Sequence, residues 1–235
     1  MYIPTTVLST TQAAGIDGWV DDSANTWTYV STAPDVFSTT GDRTAVFSKG
    51  TRIKLTQTTV KAFVVTNSSF GAGITSVTVT AGTDYTLTNA AISANYYSYA
   101  ANPQLYPGVF NYVPTWTSTG TQPVLNNGTL AGQFSVLGRA FIFTVTLTMG
   151  GTTTFGTGNY RWAPPITLAG YSHTGSSFSN DTGTAVRTGT LFVDASNNTF
   201  RLYTSDATAA SEYSNTVPHT WAATDTIQFS GTADF

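Results

Sequence analysis

The sequence predicts an all-β protein built from two small β domains, and three observations support that prediction. Ser and Thr make up roughly 29% of the chain, and the stiff, β-branched side chain of Thr suits the pleated surface of a sheet. The strong helix formers are scarce, since the chain has one Glu and three Lys. Apolar and polar residues also alternate in short runs bounded by Gly, Asp and Asn, which is typical of strands. These features argue against an all-α or a doubly wound α/β fold.

In the first half, the clearest alternation places Ile53 and Leu55 on one face and Arg52 and Lys54 on the other. One further stretch, 89–94, suits a helical turn with Asn89 as its cap, but it is too short to shape the fold. The strands predicted in this half are 51–57, 61–66 and 76–80.

A stretch rich in Tyr, 95–107, follows and is broken by Pro103 and Pro107. The strands before it are short and separated by Gly and Asp turns, whereas those after it are longer and rich in Phe. We therefore interpret the stretch as an ordered linker, which places one domain at 1–102 and the other at 103–235.

In the second half, the run 140–149 places Phe141, Phe143 and Val145 on one face and Ile142 with three Thr residues on the other. This pattern predicts a half-buried strand. The segment 194–198 contains two Asn residues that tolerate a positive φ, so it is expected to connect a hairpin. The other strands predicted in this half are 133–137, 188–193, 200–204 and 225–230.

Charge and cysteine content exclude several classes of function. Charged residues make up 9% of the chain, the net charge is −3 and Cys is absent, whereas about 25% of an ordinary soluble domain is charged. No basic stripe is available to neutralise phosphates, so neither nucleic-acid binding nor electrostatic membrane docking is expected. The first ten residues have no positive start and no long apolar run, which predicts neither a secretory signal nor a membrane span.

The sequence also offers little for catalysis. Glycoside hydrolysis needs two carboxylates, but Glu212 is the only Glu and most Asp residues lie in turn contexts. The only imidazoles, His173 and His219, make a poor zinc set without Cys and give no support to a Ser-His-Asp triad. The segments 21–25 and 194–198 carry oxygen ligands at spacings that suit Ca²⁺, but Asx turns explain them more simply. We therefore predict no enzyme activity, no cofactor and no metal.

Aromatic residues are the remaining candidates for a binding site, since the chain has five Trp, twelve Tyr and fourteen Phe. Several of these rings stand beside Gly or Pro. Three roles are open to them, in decreasing order of weight: packing a turn, sealing a subunit contact or stacking on a sugar. The candidates for a glycan or subunit contact are Trp116, Tyr160, Trp162, Tyr171 and Trp221.

Segments across nearly the whole chain carry a resemblance to a known protein family. They are 18–29, 49–61, 76–80, 84–87 and 96–103 in the first half, and 110–114, the Gly138-Arg139 strand and 151–165 in the second. These segments resemble the structural proteins of tailed-bacteriophage virions. The first half is similar to a module of their tail, fibre and head-decoration components, and the second half is similar to the C-terminal β-sandwich heads that follow this module.

This resemblance implies an N-terminal β attachment module followed by a jelly-roll-like antiparallel β-sandwich head. It implies a virion structural protein of tail-fibre or receptor-binding type, synthesised in the host cytoplasm and located on the particle surface. The alternatives are a capsid-bound decoration protein or head fibre and, with less weight, a carbohydrate-binding module. The expected partners are other virion proteins, a host surface glycan or protein, and two further copies of the chain in a homotrimer. Attachment to the particle is expected to use an extended arm, 1–12, with contacts from Met1, Tyr2, Ile3, Pro4, Val7 and Leu8.

Overall fold

The computed structural model describes residues 16–170, 172–205 and 210–235, and within these ranges the regular secondary structure is entirely β. The strands pair antiparallel and form two sheets. The predicted all-β class is therefore confirmed. The strands are β1 (Val20–Asp21), β2 (Thr28–Thr32), β3 (Asp35–Thr40), β4 (Arg52–Gln57), β5 (Thr59–Gly71), β6 (Ile74–Thr80), β7 (Ser93–Ser98), β8 (Phe110–Tyr112), β9 (Thr115–Ser118), β10 (Thr129–Leu137), β11 (Ala140–Thr148), β12 (Tyr160–Ala163), β13 (Ser172–Asp181), β14 (Ala185–Asp194), β15 (Thr199–Thr204) and β16 (Thr226–Asp234).

The chain divides into two compact units. The first contains 16–81 and Tyr85–Gly108, and the second contains Gly82–Asp84 and Val109–Phe235. The main division thus falls a few residues after the predicted boundary at 102. In the described part of the chain, no helix has the length and apolar character that a membrane span requires.

The first unit holds a seven-stranded sheet in the order β1-β7-β4-β5-β6-β3-β2. Its core is aromatic: Trp27 stacks on Phe37 with ring centroids 4.4 Å apart, and Phe47 meets Trp27 edge-on at 5.5 Å. All three rings are buried. Such pairs contribute beyond the area they bury, which helps a sheet with few charged residues to hold together.

Two predictions for the first half were wrong. The stretch 89–94 forms no helical turn: the Gln57 side chain donates hydrogen bonds to the carbonyls of Thr88 and Ala90 in the loop that precedes β7, and Ser93 and Ala94 already belong to β7. The predicted linker begins with a strand, β7, which pairs with β4. Asn95 and Tyr97 alternate inward there, a strand signal that the high Tyr content had concealed.

The second unit holds a nine-stranded sheet in the order β8-β10-β11-β16-β13-β14-β15-β12-β9. Its edge strands, β8 and β9, are separated by only Val113 and Pro114, so the sheet must curl to bring both edges close together. The resulting half-barrel is sandwich-like, as expected, and it encloses a continuous aromatic core. The core rings include Phe134, Phe141, Phe143, Trp162, Phe200 and Phe229.

Local hydrogen bonds cover both edges of this curled sheet. At β8, the Thr83 amide donates to the Asn111 carbonyl at 2.7 Å, and the Asp84 carboxylate accepts from the Asn111 amide at 2.8 Å. At β9, the Gln122 side chain accepts from the Ser118 amide and donates to its carbonyl. An unpaired edge strand can pair with a strand of another chain. These local hydrogen bonds occupy backbone groups at both edges and so oppose such pairing.

Candidate functional site

The outer face of the curled sheet is the best candidate for a binding surface. Along β11, alternate residues point into the aromatic core and away from it, so Phe141 and Phe143 are buried while Ile142 and Thr144 are exposed. The neighbouring strand β16 continues the same alternation, and so does β13 over 175–180. We define the outer face as the residues of β11, β16 and β13 that point away from the core.

Strand register aligns the side chains of this outer face into rows. Thr144 lies opposite Ser230, which in turn lies opposite Ser176. In the adjacent row, Thr146 lies opposite Gln228, which lies opposite Phe178. The rows bring hydroxyl and amide groups from three strands, distant in sequence, next to one aromatic ring.

A groove of about 290 Å³ runs over these rows, and no charged side chain lines it. Two adjoining hollows, of about 150 and 330 Å³, share Thr144 with the groove and are also lined without charge. Phe178 is 38% exposed beside the groove. Hydroxyls and amides donate and accept hydrogen bonds, and an exposed ring offers a face for stacking, so this surface suits a neutral, hydroxyl-rich ligand.

Phe178 was not predicted from the sequence, although β13 carries a signal that points to it. The usual pattern of a half-buried strand is inverted there: Ser177 and Ser179 are buried, and Phe178 faces outward. The small Ser side chains leave room for the core rings, and the Ser177 hydroxyl lies 3.3 Å from the Tyr213 hydroxyl. An apolar residue on the polar face of a strand is the pattern that would have identified it.

The aromatic residues that the sequence singled out occupy the core instead. Tyr160 and Trp162 both point inward from β12 and are fully buried, and Trp116 and Trp221 are at most 9% exposed. The Tyr160 hydroxyl donates to the Phe155 carbonyl, and burial raises its pKa. These four residues were wrongly assigned to a glycan or subunit contact, because neighbouring Gly and Pro made strand and loop positions look like exposed turns.

The remaining predicted site residues lie outside the described part of the chain. Their proposed roles in particle attachment and ligand contact stay predictions. The predicted site residues outside the described ranges are Met1, Tyr2, Ile3, Pro4, Val7, Leu8 and Tyr171.

Glu212, the only Glu in the chain, lies in a network of ion pairs and hydrogen bonds. Its carboxylate pairs with Arg161 and accepts from Arg201 Nε at 2.7 Å, while Asn159 Nδ2 donates to its second oxygen at 2.7 Å. Hydrogen bonding to Glu212 raises the pKa of Arg201 above its usual range. Both carboxylate oxygens are thus committed to cationic and amide partners, an arrangement that fixes loop and strand positions and suits neither a general acid nor a nucleophile.

Asx turns account for the two segments that had oxygen ligands at Ca²⁺ spacing, as predicted. The Asp21 carboxylate accepts from the Ser23 backbone amide at 2.8 Å, and the Asp194 carboxylate accepts from the Asn197 backbone amide at 3.3 Å and from Asn197 Nδ2 at 2.9 Å. Burial alone would raise the pKa of Asp194, but hydrogen bonds from Asn197 and the charge of Arg201 together lower it. These contacts stabilise both turns.

Comparison of the chain with protein-family models, with curated proteins and with solved structures finds no match. The chemistry of the outer face and the resemblance of the sequence segments are therefore the grounds on which a function is proposed.

Proposed function

We propose that the chain is a structural component of a bacteriophage virion, of tail-fibre or receptor-binding type, and that its second unit binds a neutral glycan of the host surface. The virion assignment is supported by the resemblance of both halves to virion modules. The glycan assignment is supported by one observation above all, the uncharged groove on the outer face, where the exposed ring of Phe178 lies beside hydroxyl and amide groups.

The absence of charge in the groove decides between classes of ligand. A phosphorylated or sulfated ligand needs a cationic partner, which the lining of the groove lacks. A neutral sugar needs hydrogen-bond donors and acceptors together with an apolar face for its ring. The hydrogen-bonding groups are supplied by Thr144, Gln228 and Ser230, and the apolar face is supplied by the ring of Phe178.

We expect Phe178→Ala to weaken binding of the full-length chain to neutral polysaccharides by at least about tenfold, because the ring carries the stacking contact. Phe70→Ala is the matched control, since Phe70 is likewise exposed on a strand but lies in the first unit. Both variants remove one exposed ring and should unfold at a temperature close to that of the wild type. Binding is measured on an array of neutral, acidic and sulfated glycans.

Equal binding by both variants would contradict the glycan assignment, and so would a preference for acidic or sulfated glycans. The glycan assignment would also be refuted if the wild-type chain bound no glycan on the array. Cooperative unfolding of the same sample would show that the chain was folded in that experiment.

We also expect the full-length chain to form a homotrimer, with a solution mass three times the 24.8 kDa of one chain. Apolar side chains such as Val30, Val60 and Val186 remain exposed on strands, and closed rings of subunits can cover such residues. Multi-angle light scattering at micromolar concentration tests this. A stable monomer under those conditions would contradict the prediction.

A further inference from the structure

Three potential metal ligands meet at one end of the curled sheet: Asp181, His219 and Asp225. One ligand atom from each residue lies within 4.8 Å of those of the other two. Asp181 is the last residue of β13, Asp225 directly precedes β16, and His219 lies in the loop that leads to β16. They belong to the same unit but lie apart from the rows of the outer face described above.

The two carboxylates are brought together by strand pairing. Asn180 of β13 lies opposite Thr226 of β16, so the same antiparallel register places Asp181 opposite Asp225. Like charges directly opposite each other on neighbouring strands are destabilising. Within the described residues, the only ion-pair partner of either carboxylate is His219. A bound cation would remove this repulsion.

His219 provides the second, independent observation. Its side chain is 6% exposed, and neither ring nitrogen has a hydrogen-bond partner among the described residues. A buried imidazole without a partner loses its hydration and gains nothing in return. Its Nε2 lies 3.5 Å from Asp225 Oδ2, too far for a good hydrogen bond.

The same separation suits two ligands of one metal ion. With metal–nitrogen and metal–oxygen bonds of about 2.1 Å at a tetrahedral angle, the two ligand atoms lie about 3.4 Å apart. The Asp225 carboxylate is held in place because it accepts from the amides of Thr182 at 2.9 Å and Ala222 at 2.7 Å. Each of its oxygens keeps a second lone pair for an ion. Hydrogen bonds of this kind orient metal ligands in known sites.

We propose that Asp181, His219 and Asp225 bind a divalent transition-metal ion, with Zn²⁺ as the preferred probe. An imidazole nitrogen combined with carboxylates favours such ions, whereas Ca²⁺ and Mg²⁺ prefer oxygen ligands alone. Three protein ligands leave a coordination position for water. The ion joins the end of β13, the start of β16 and the loop that connects β15 to β16. This proposal departs from the sequence-based expectation of no metal, which relied on the scarcity of His and the absence of Cys.

The test is calorimetric titration of the full-length chain, stripped with a chelator, with Zn²⁺. We expect one site per chain, no binding by His219→Ala and about tenfold weaker binding by Asp181→Asn. Two matched controls should bind like the wild type: His173→Ala, which removes the other histidine, and Asp234→Asn, which changes an exposed carboxylate of the same unit. Titration with Co²⁺ adds a visible spectrum that reports the ligands directly.

Several outcomes would overturn the proposal: no saturable binding of Zn²⁺ by the wild type, unchanged binding by both site variants, equal loss in His173→Ala, or binding of Ca²⁺ in preference to Zn²⁺. Circular dichroism of each variant shows whether it folds. Should His219→Ala fail to fold, Asp181→Asn decides, because Asp181 is only partly buried and its side chain has no hydrogen bond in the described structure.

Discussion

Replacing Glu212 with Ala is expected to lower the free energy of unfolding by about 3 kcal/mol, a large effect for one residue of this chain. The change removes the common partner of Arg161 and Arg201, whose side chains are only 17% and 25% exposed. Both guanidinium groups would then keep their burial and lose their main counter-charge. Equilibrium unfolding in urea, followed by Trp fluorescence, measures the loss.

Two further variants serve as controls for this prediction. Glu212→Gln keeps the shape and can still accept hydrogen bonds, so it should cost less than Glu212→Ala. Asp234→Ala removes an exposed carboxylate that has no ion pair in the described structure and should change stability by less than about 0.5 kcal/mol. A loss below about 1 kcal/mol for Glu212→Ala would show that the network is no stronger than a surface ion pair and would contradict its structural role.

Replacing Trp162 with Ala is expected to cost about 3–5 kcal/mol of stability, because it leaves a cavity in the core of the half-barrel. The indole is fully buried and packs against Phe229 at 5.2 Å and Tyr160 at 6.0 Å between ring centroids. Thermal and urea unfolding of the full-length chain measure the effect.

Trp162→Phe provides the control for this substitution. The Trp162 indole nitrogen has no hydrogen-bond partner in the described structure, so Phe removes a buried unsatisfied donor while keeping most of the apolar contact. We expect a much smaller loss than for Ala. If Trp162→Ala instead kept full stability and lost only glycan binding, the ring would be a ligand contact, one of the candidate roles that the sequence left open, and the core assignment would be wrong.

Much of the fold could be predicted from the sequence because alternation reports burial directly. The run that forms β11 has a clear alternation of apolar and hydroxyl residues, and the structure buries the predicted face. Alternation is obscured where polar residues are buried. Asn95 points inward on β7, and its Nδ2 donates to the Asn25 carbonyl, so a polar position in a Tyr-rich stretch looked like part of a linker.

The positions of the candidate sites could not be predicted from local patterns in the sequence. Trp162 and Tyr160 stand near Gly and Pro, but whether their rings face solvent depends on how the sheet curls around them. The rows of the outer face and the pairing of Asp181 with Asp225 both arise from strand register between segments distant in the chain. The spacing of residues within one segment could therefore predict a turn, such as the turn at Asp194. It could not predict the outer face or the Asp181–Asp225 pair.

The proposal that this chain is part of a virion is tested most directly by immunogold electron microscopy of phage particles purified on a gradient from a lysate in which the chain is produced. We expect an antibody against the full-length chain to label the tail or the capsid at a fixed position, and mass spectrometry to detect the chain in those particles. Abundant chain in the lysate but none in purified infectious particles would contradict the proposal.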